Sequence, residues 1–122
     1  MGLIDDLERT VLHDAVVLAV AMIDGGVRLE FEYYLDWGEH EGWYWVTVSL
    51  GGVDRITRMG EAVAAIAMEG ENGGVLQFSH RDGVAELLLE WRLVGPSRQN
   101  FCSYEMRYST FAITAERQPD EC

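Results

Sequence analysis

Val27-Arg28-Leu29-Glu30-Phe31-Glu32-Tyr33-Tyr34-Leu35 alternates apolar and polar residues with a period of two over most of its nine positions. That pattern marks a strand with one face in a core and the other in water. It puts Val27, Leu29, Phe31, Tyr33 and Leu35 on the buried side and Arg28, Glu30, Glu32 and Tyr34 on the other. Gly25-Gly26 precede it and supply the positive φ of a tight hairpin. Before them runs the apolar segment Val16 to Ile23, which reads as a strand buried on both faces. Centring the turn on Gly25-Gly26 sets Val20 opposite Phe31 and Leu18 opposite Tyr33, so the apolar residues of both strands share a face.

Moving outward, Trp43 to Leu50 alternates again, with Tyr44, Val46, Val48 and Leu50 inward and Trp43, Trp45, Thr47 and Ser49 outward. Closing 35–42 as a loop makes Glu32 the cross-strand neighbour of Trp45 and Glu30 that of Thr47. Glu30, Glu32, Tyr34, Trp43 and Trp45 then gather on the non-core face. Tryptophan outside a core is unusual, so this face is expected either to lie under the N-terminal helix or to serve a partner. The loop adds Asp36, Trp37, Glu39 and Glu41, so that Tyr33 to Trp45 holds six aromatics and three carboxylates in thirteen positions.

Leu3, Ile4, Leu7 and Val11 are spaced for one face of a short N-terminal helix, with acids in its first turn where the helix dipole favours them. Residues 53–60 read as loop with at most one helical turn. Ala62 to Glu69 is predicted as a strand, joined through Glu71-Asn72-Gly73 so that Met68 faces Leu76 and Ile66 faces Phe78. Asp82-Gly83 is the clearest turn signal; it sets Arg81 opposite Val84, Phe78 opposite Leu87, Leu76 opposite Leu89 and Ser79 opposite Glu86. Gly95-Pro96-Ser97 ends that strand. Tyr104 to Glu116 reads as one last strand whose phase switch near Ser109-Thr110 predicts a β-bulge, followed by a frayed tail, 117–122.

The expected fold is therefore mainly β, with α+β at the margin: an antiparallel sheet of six to seven strands in meander order with a short N-terminal helix. With 122 residues and 48% hydrophobic content, one domain spanning 1–122 is expected. No internal repeat is read. There are 21 acids against nine bases, every base is arginine, and the formal charge is −12. Residues 1–45 carry ten acids and two bases, net −8, and the remainder eleven and seven, net −4. Such a field repels nucleic acid and anionic membranes, which excludes both as partners. Cys102 and Cys122 read as unbridged thiols. The N-terminal residues lack the features of a signal peptide, and the nine-residue apolar run Ala15 to Ile23 is too short to span a bilayer, so a cytoplasmic protein is expected.

No residue set carries a catalytic signature. His80-Arg81-Asp82 copies three letters of the kinase catalytic loop without the rest of it, and its Asp suits a turn. Glu39-His40-Glu41 has the chemistry of a divalent cation ligand set, but three adjacent polar loop residues are more commonly just solvated, and no metal or cofactor is expected. His13-Asp14 reads as a structural pair at the start of a strand rather than an acid–base pair. The glycine pairs at 51–52 and 73–74 lack phosphate-loop spacing, and Ser79 and Ser109 sit in no nucleophile elbow. The reading is of a protein that is not an enzyme.

Leu12-His13-Asp14-Ala15, followed by an apolar strand, a Gly turn, an alternating strand, the Gly52-Val53 step and a late alternating strand, resembles a loose group of small uncharacterised bacterial domains. Some of these are similar to immunity proteins of polymorphic toxin systems. The resemblance implies a mostly β cytoplasmic domain that binds a toxin, and it implies no catalytic residue. Together with the residues, it leads to an acidic protein-binding module for a basic partner, with Trp37, Trp43 and Trp45 as anchors, Asp36, Glu39 and Glu41 as steering charges, and Glu30 and Glu32 beside them. A homodimer that uses the aromatic face as its self-interface, and a small-molecule-binding domain, are the alternatives.

Overall fold

Two Asp-Gly turns organise the chain. Asp24 and Gly25 have φ values of 45° and 76°, and Asp82 and Gly83 have 53° and 81°. Left-handed backbone at both central residues makes these type I′ turns, whose twist matches that of the strands they join. The computed structural model describes residues 3–10, 12–36, 38–68, 72–92 and 99–119. It contains α1 (Leu3–Arg9), β1 (Val16–Ile23), β2 (Gly26–Leu35), β3 (Gly42–Gly51), β4 (Arg55–Arg58), β5 (Glu61–Val63), β6 (Asn72–Arg81), β7 (Val84–Arg92), β8 (Gln99–Arg107) and β9 (Thr110–Arg117). The strands form one sheet in the order β5-β4-β8-β7-β6-β1-β2-β3-β9, antiparallel throughout.

This order is not a meander. It is two three-stranded meanders, β1-β2-β3 and β6-β7-β8, each of which sends its next strand across to the other: β4 pairs with β8, and β9 pairs with β3. The halves correspond at an offset of 58 residues. Val17 pairs with Phe31 as Val75 does with Leu89, each first strand carries a bulge one residue later, and Ile23 pairs with Gly26 as Arg81 does with Val84. Val16 and Gly74, equivalent to each other, pair across the short seam between β1 and β6, placing a pseudo-twofold axis there. Between residues 14–33 and 72–91 the identical pairs are Val17/Val75, Leu18/Leu76, Asp24/Asp82, Gly25/Gly83, Leu29/Leu87 and Glu32/Glu90. This sparse match is why no repeat is legible by eye.

One face of the sheet is apolar and rolls onto itself. Val27, Leu29, Phe31, Tyr33 and Leu35 of β2, with Tyr44, Val46, Val48 and Leu50 of β3, meet Ala85, Leu87, Leu89 and Trp91 of β7 and Cys102, Tyr104 and Met106 of β8 in a single core. Closure is visible where Phe111 of β9 stacks on His80 of β6 at 3.8 Å, although three strands separate β6 from β9 in the sheet. The Trp91 indole N–H donates to the Cys102 thiol at 3.2 Å, so the largest buried ring leaves no donor unmatched. The two crossovers clasp each other: Ser109 N–H donates to Gly51 O at 2.8 Å, Asp54 N–H to Arg107 O at 3.1 Å, and Arg107 forks onto the Asp54 carboxylate at 2.8 and 3.2 Å. In α1, Leu7 is fully buried, and the Thr10 hydroxyl donates to Leu7 O, satisfying a carbonyl at the helix end. Among the described residues no helix is long and apolar enough to cross a membrane.

Several expectations need correction. The sheet has nine strands, not six to seven, because residues 53–63 form β4 and β5 and because Tyr104 to Glu116 is not one bulged strand. The phase switch near Ser109-Thr110 is a strand break at which the chain leaves β8 and crosses to β3. Residues 64–68 are not in a strand, so Met68 does not pair with Leu76; β6 lies between β1 and β7 instead. β1 is not buried on both faces, since Leu18 and Met22 are 47% and 43% exposed and only Val17 is fully buried. The first hairpin turns at Asp24-Gly25 rather than Gly25-Gly26, which sets Val20 opposite Leu29 and, through the bulge, Val17 opposite Phe31. The same bulge in β6 replaces the Leu76–Leu89 pair with Val75–Leu89, while the expected Phe78–Leu87, Ser79–Glu86 and Arg81–Val84 pairs hold. Arg117, expected to fray, ends β9. Trp37, Gly95-Pro96-Ser97, Glu71 and Cys122 lie outside the described residues.

Candidate functional site

The period of two in β2 and β3 forces the outer face. With Leu29, Phe31 and Tyr33 inward and Tyr44, Val46 and Val48 opposite them, Glu30, Glu32 and Tyr34 must face out beside Thr47, Trp45 and Trp43. The register is the expected one: Glu30 with Thr47, Glu32 with Trp45, Tyr34 with Trp43. Trp43 and Trp45 are 48% and 41% exposed and Tyr34 is 41% exposed, so α1 does not cover them. The Tyr34 and Trp43 rings sit 5.2 Å apart and tilted by 57°, an edge-biased aromatic pair that holds both side chains in place.

The end of β9 completes this face. Gln118 N–H donates to Trp43 O at 3.0 Å, and its side-chain amide donates to Glu32 Oε2 at 2.9 Å. Arg117 donates to the Tyr44 hydroxyl at 3.4 Å, with its guanidinium 5.8 Å from the centre of that ring. The Tyr44 hydroxyl in turn donates to His40 O at 2.6 Å and tethers the 36–41 loop to the sheet. Gly42 has φ +147°, and a Cβ there would lie 2.8 Å from Arg117 Nη2, so a side chain at 42 would displace the arginine. Between these groups runs a groove of about 550 Å³ lined by Glu32, Tyr34, Glu41, Trp43, Arg117 and Gln118.

Of the residues singled out from sequence, Glu32, Glu41 and Trp43 converge on the groove. Trp45 and Glu30 lie further along the same face, and Glu30 is 3.4 Å from Arg28 on its own strand. Asp36 and Glu39 are exposed in the loop, Glu39 within 3.5 Å of His40. Arg117 and Gln118 were missed, because a segment read as a frayed tail offers no reason to look for a side chain holding Glu32. Tyr34 falls on the face by parity alone, and the groove adds it to the binding residues.

The other candidate chemistry separates from this face. The His13 ring is hydrogen-bonded through Nδ1 to Leu76 O at 2.9 Å and is 3.6 Å from the Asp14 carboxylate, with both side chains more than half exposed. Asp14 has φ 69° and donates its N–H to Val75 O at 2.8 Å. The pair therefore fastens the β1–β6 seam from the solvent side, just before β1 begins. Among the described residues no three His, Cys, Asp or Glu side chains converge as metal ligands would. Burial raises the pKa of the Tyr33 hydroxyl, partly offset by its hydrogen bond with Thr10 and reinforced by the charges of Asp36 and Asp14. Comparison with family models, curated proteins and solved structures finds no match for this chain.

Proposed function

We propose that the chain is an acidic protein-binding module of the cytoplasm, of the kind represented by immunity proteins, that binds and neutralises a basic toxin. The observation that carries this reading is the exposure of Trp43, Trp45 and Tyr34 on a regular sheet face whose register also presents Glu32 and Glu30. Aromatic rings with little rotamer freedom, fixed on paired strands, lose little entropy when a partner covers them. Trp43 and Trp45 are the anchors. Asp36, Glu39 and Glu41, exposed on the loop, steer the encounter and add little affinity in water. A charge of −12 argues against a second copy of the chain as the occupant and for a basic partner.

The test is stopped-flow titration of tryptophan emission with candidate basic toxin domains. Trp43→Ala is expected to speed dissociation and lose about 2 kcal/mol or more of affinity, as truncation of a hot spot does. The double reversal Glu39→Lys, Glu41→Lys is expected to slow association and flatten its salt dependence. An affinity unchanged by Trp43→Ala would remove the anchor role and with it the proposed face.

A further inference from the structure

The geometry points to the free edge of β9 as a docking site for an extended basic segment of the partner, which joins the sheet as an additional strand; this deepens the protein-binding reading and rests on it. Gln118 N–H donates to Trp43 O in a ladder that runs without a bulge from the Tyr44–Arg117 pair to the Gly51–Thr110 pair. In an antiparallel ladder only alternate residues bond across a given side. Ala112, Thr114 and Glu116 share the parity of Gln118 and bond toward β3. Phe111, Ile113, Ala115 and Arg117 therefore turn their N–H and C=O groups to the open side.

Besides β3, α1 touches β9, and Phe111 at its start stacks on His80, but among the described residues no strand pairs with its outer side. β9 has eight residues and contains neither proline nor lysine, whereas the opposite edge of the sheet, β5, has only three residues. Long flat edges with unpaired backbone groups are templates for another strand, and proteins that must avoid this shorten, charge or cover them. The pseudo-twofold sharpens the point. In the other half the equivalent crossing strand, β4, already has a strand added to its outer edge, namely β5, paired antiparallel through Ile56–Val63, Thr57–Ala62 and Arg58–Glu61. What β5 does for β4, nothing among the described residues does for β9. The inward-facing Phe111, Ile113 and Ala115 accordingly stay partly exposed, while Val46, Val48 and Leu50 on the adjacent strand are almost completely buried.

Charge selects the occupant. Asp5 of α1 and Glu116 of β9 stand exposed against Arg117, in a chain of net −12. A second copy would bring the same charges edge to edge. A basic strand would instead set a cation beside Glu116, whose ladder partner on β3 is Trp45. The added strand would thus extend the aromatic and acidic face without a new fold.

The test uses a seven-residue peptide that alternates arginine with valine and threonine, and the same peptide N-methylated at alternate residues, with amide hydrogen exchange read by NMR on the full chain. In the unbound protein the amides of Ile113 and Ala115 are expected to exchange at least tenfold faster than those of Ala112 and Thr114. Saturation with the unmethylated peptide is expected to slow Ile113 and Ala115 at least tenfold, with no such effect from the methylated one. Ala115→Pro removes only an outward N–H, so the protein should fold and lose at least tenfold in peptide affinity. Should Ala115→Pro not fold, the exchange arm in the native chain decides. Equal binding of both peptides, or saturation that leaves Ile113 and Ala115 unprotected, would overturn the proposal. Protection that follows protein concentration alone, with a doubled mass in sedimentation, would overturn it in favour of self-association. A Trp43-dependent response to the toxin without protection along β9 would leave the binding module standing and refute only the edge.

Discussion

The two halves of the sheet have nearly the same inside and different outsides. Val27, Leu29, Phe31 and Tyr33 of β2 find their counterparts in Ala85, Leu87, Leu89 and Trp91 of β7, all buried. Outside, the first half displays Tyr34, Trp43 and Trp45 with Glu30 and Glu32, and the second displays Leu88 and Phe101 among Glu86, Glu90 and Glu105. A pseudo-twofold constrains the residues that must meet at its axis and leaves those facing water free to diverge. The paired aromatic cluster with a groove beside it occurs on the first half, so the specialised surface is the one where the halves differ most.

The largest effects should come from the shared interior. Phe31→Ala and Leu89→Ala remove equivalent buried side chains and should each cost about 2–5 kcal/mol. Because β4 and β9 cross between halves, both variants should still melt in one transition by calorimetry; two transitions for either would show that the halves fold separately. Next come the turns. Gly25→Ala and Gly83→Ala force alanine into left-handed backbone at about 1–2 kcal/mol each. The two should cost about the same, since Gly25 faces open space and an added Cβ at Gly83 meets Tyr108 O at 3.4 Å, an ordinary contact. Denaturant midpoints will compare them.

The outer faces should matter little to folding. Trp43→Ser and Phe101→Ser are expected to shift stability by about 1 kcal/mol or less, with only the first impairing partner binding, and equal loss of binding for both would erase the distinction between the faces. The smallest effect concerns the Asp54–Arg107 clasp. The Arg107 hydrogen bonds hold the Asp54 carboxyl below the usual carboxylate range. A lowered pKa in the folded state means that the contribution is present above the unfolded value and is lost as pH falls through the folded one. Acid titration below pH ~4 should therefore flatten slightly in Asp54→Asn, and an unchanged acid limb would show that the clasp adds no stability.

Strands with one wet face were legible in the sequence. The registers of β2 with β3 and the Asp82-Gly83 hairpin followed from period two and turn chemistry, and the exposure of Trp43 and Trp45 followed from the parity of Phe31 and Val46. What failed were features set by distant partners. β1 is apolar on both faces, and its alanines and valines suggested full burial, but its outer face has no second layer to cover it. The four residues of β4 are too few to show a period, and the break at Tyr108-Ser109 mimics a bulge because both shift the phase by one. At the site, the loop acids and the tryptophans were visible as composition. The support that Arg117 and Gln118 give them depends on pairing with Tyr44 and Trp43, more than 70 positions upstream.

Because each half lends its fourth strand to the other, the chain has the topology of a handshake rather than of two stacked sheets. A backbone cut between Ile66 and Asn72 would yield two pieces, each lacking the strand that completes its own sheet and carrying the strand the other lacks. Such pieces have one satisfactory mate, each other, and the molecule therefore contains within it the plan of a split protein that reports its own reassembly.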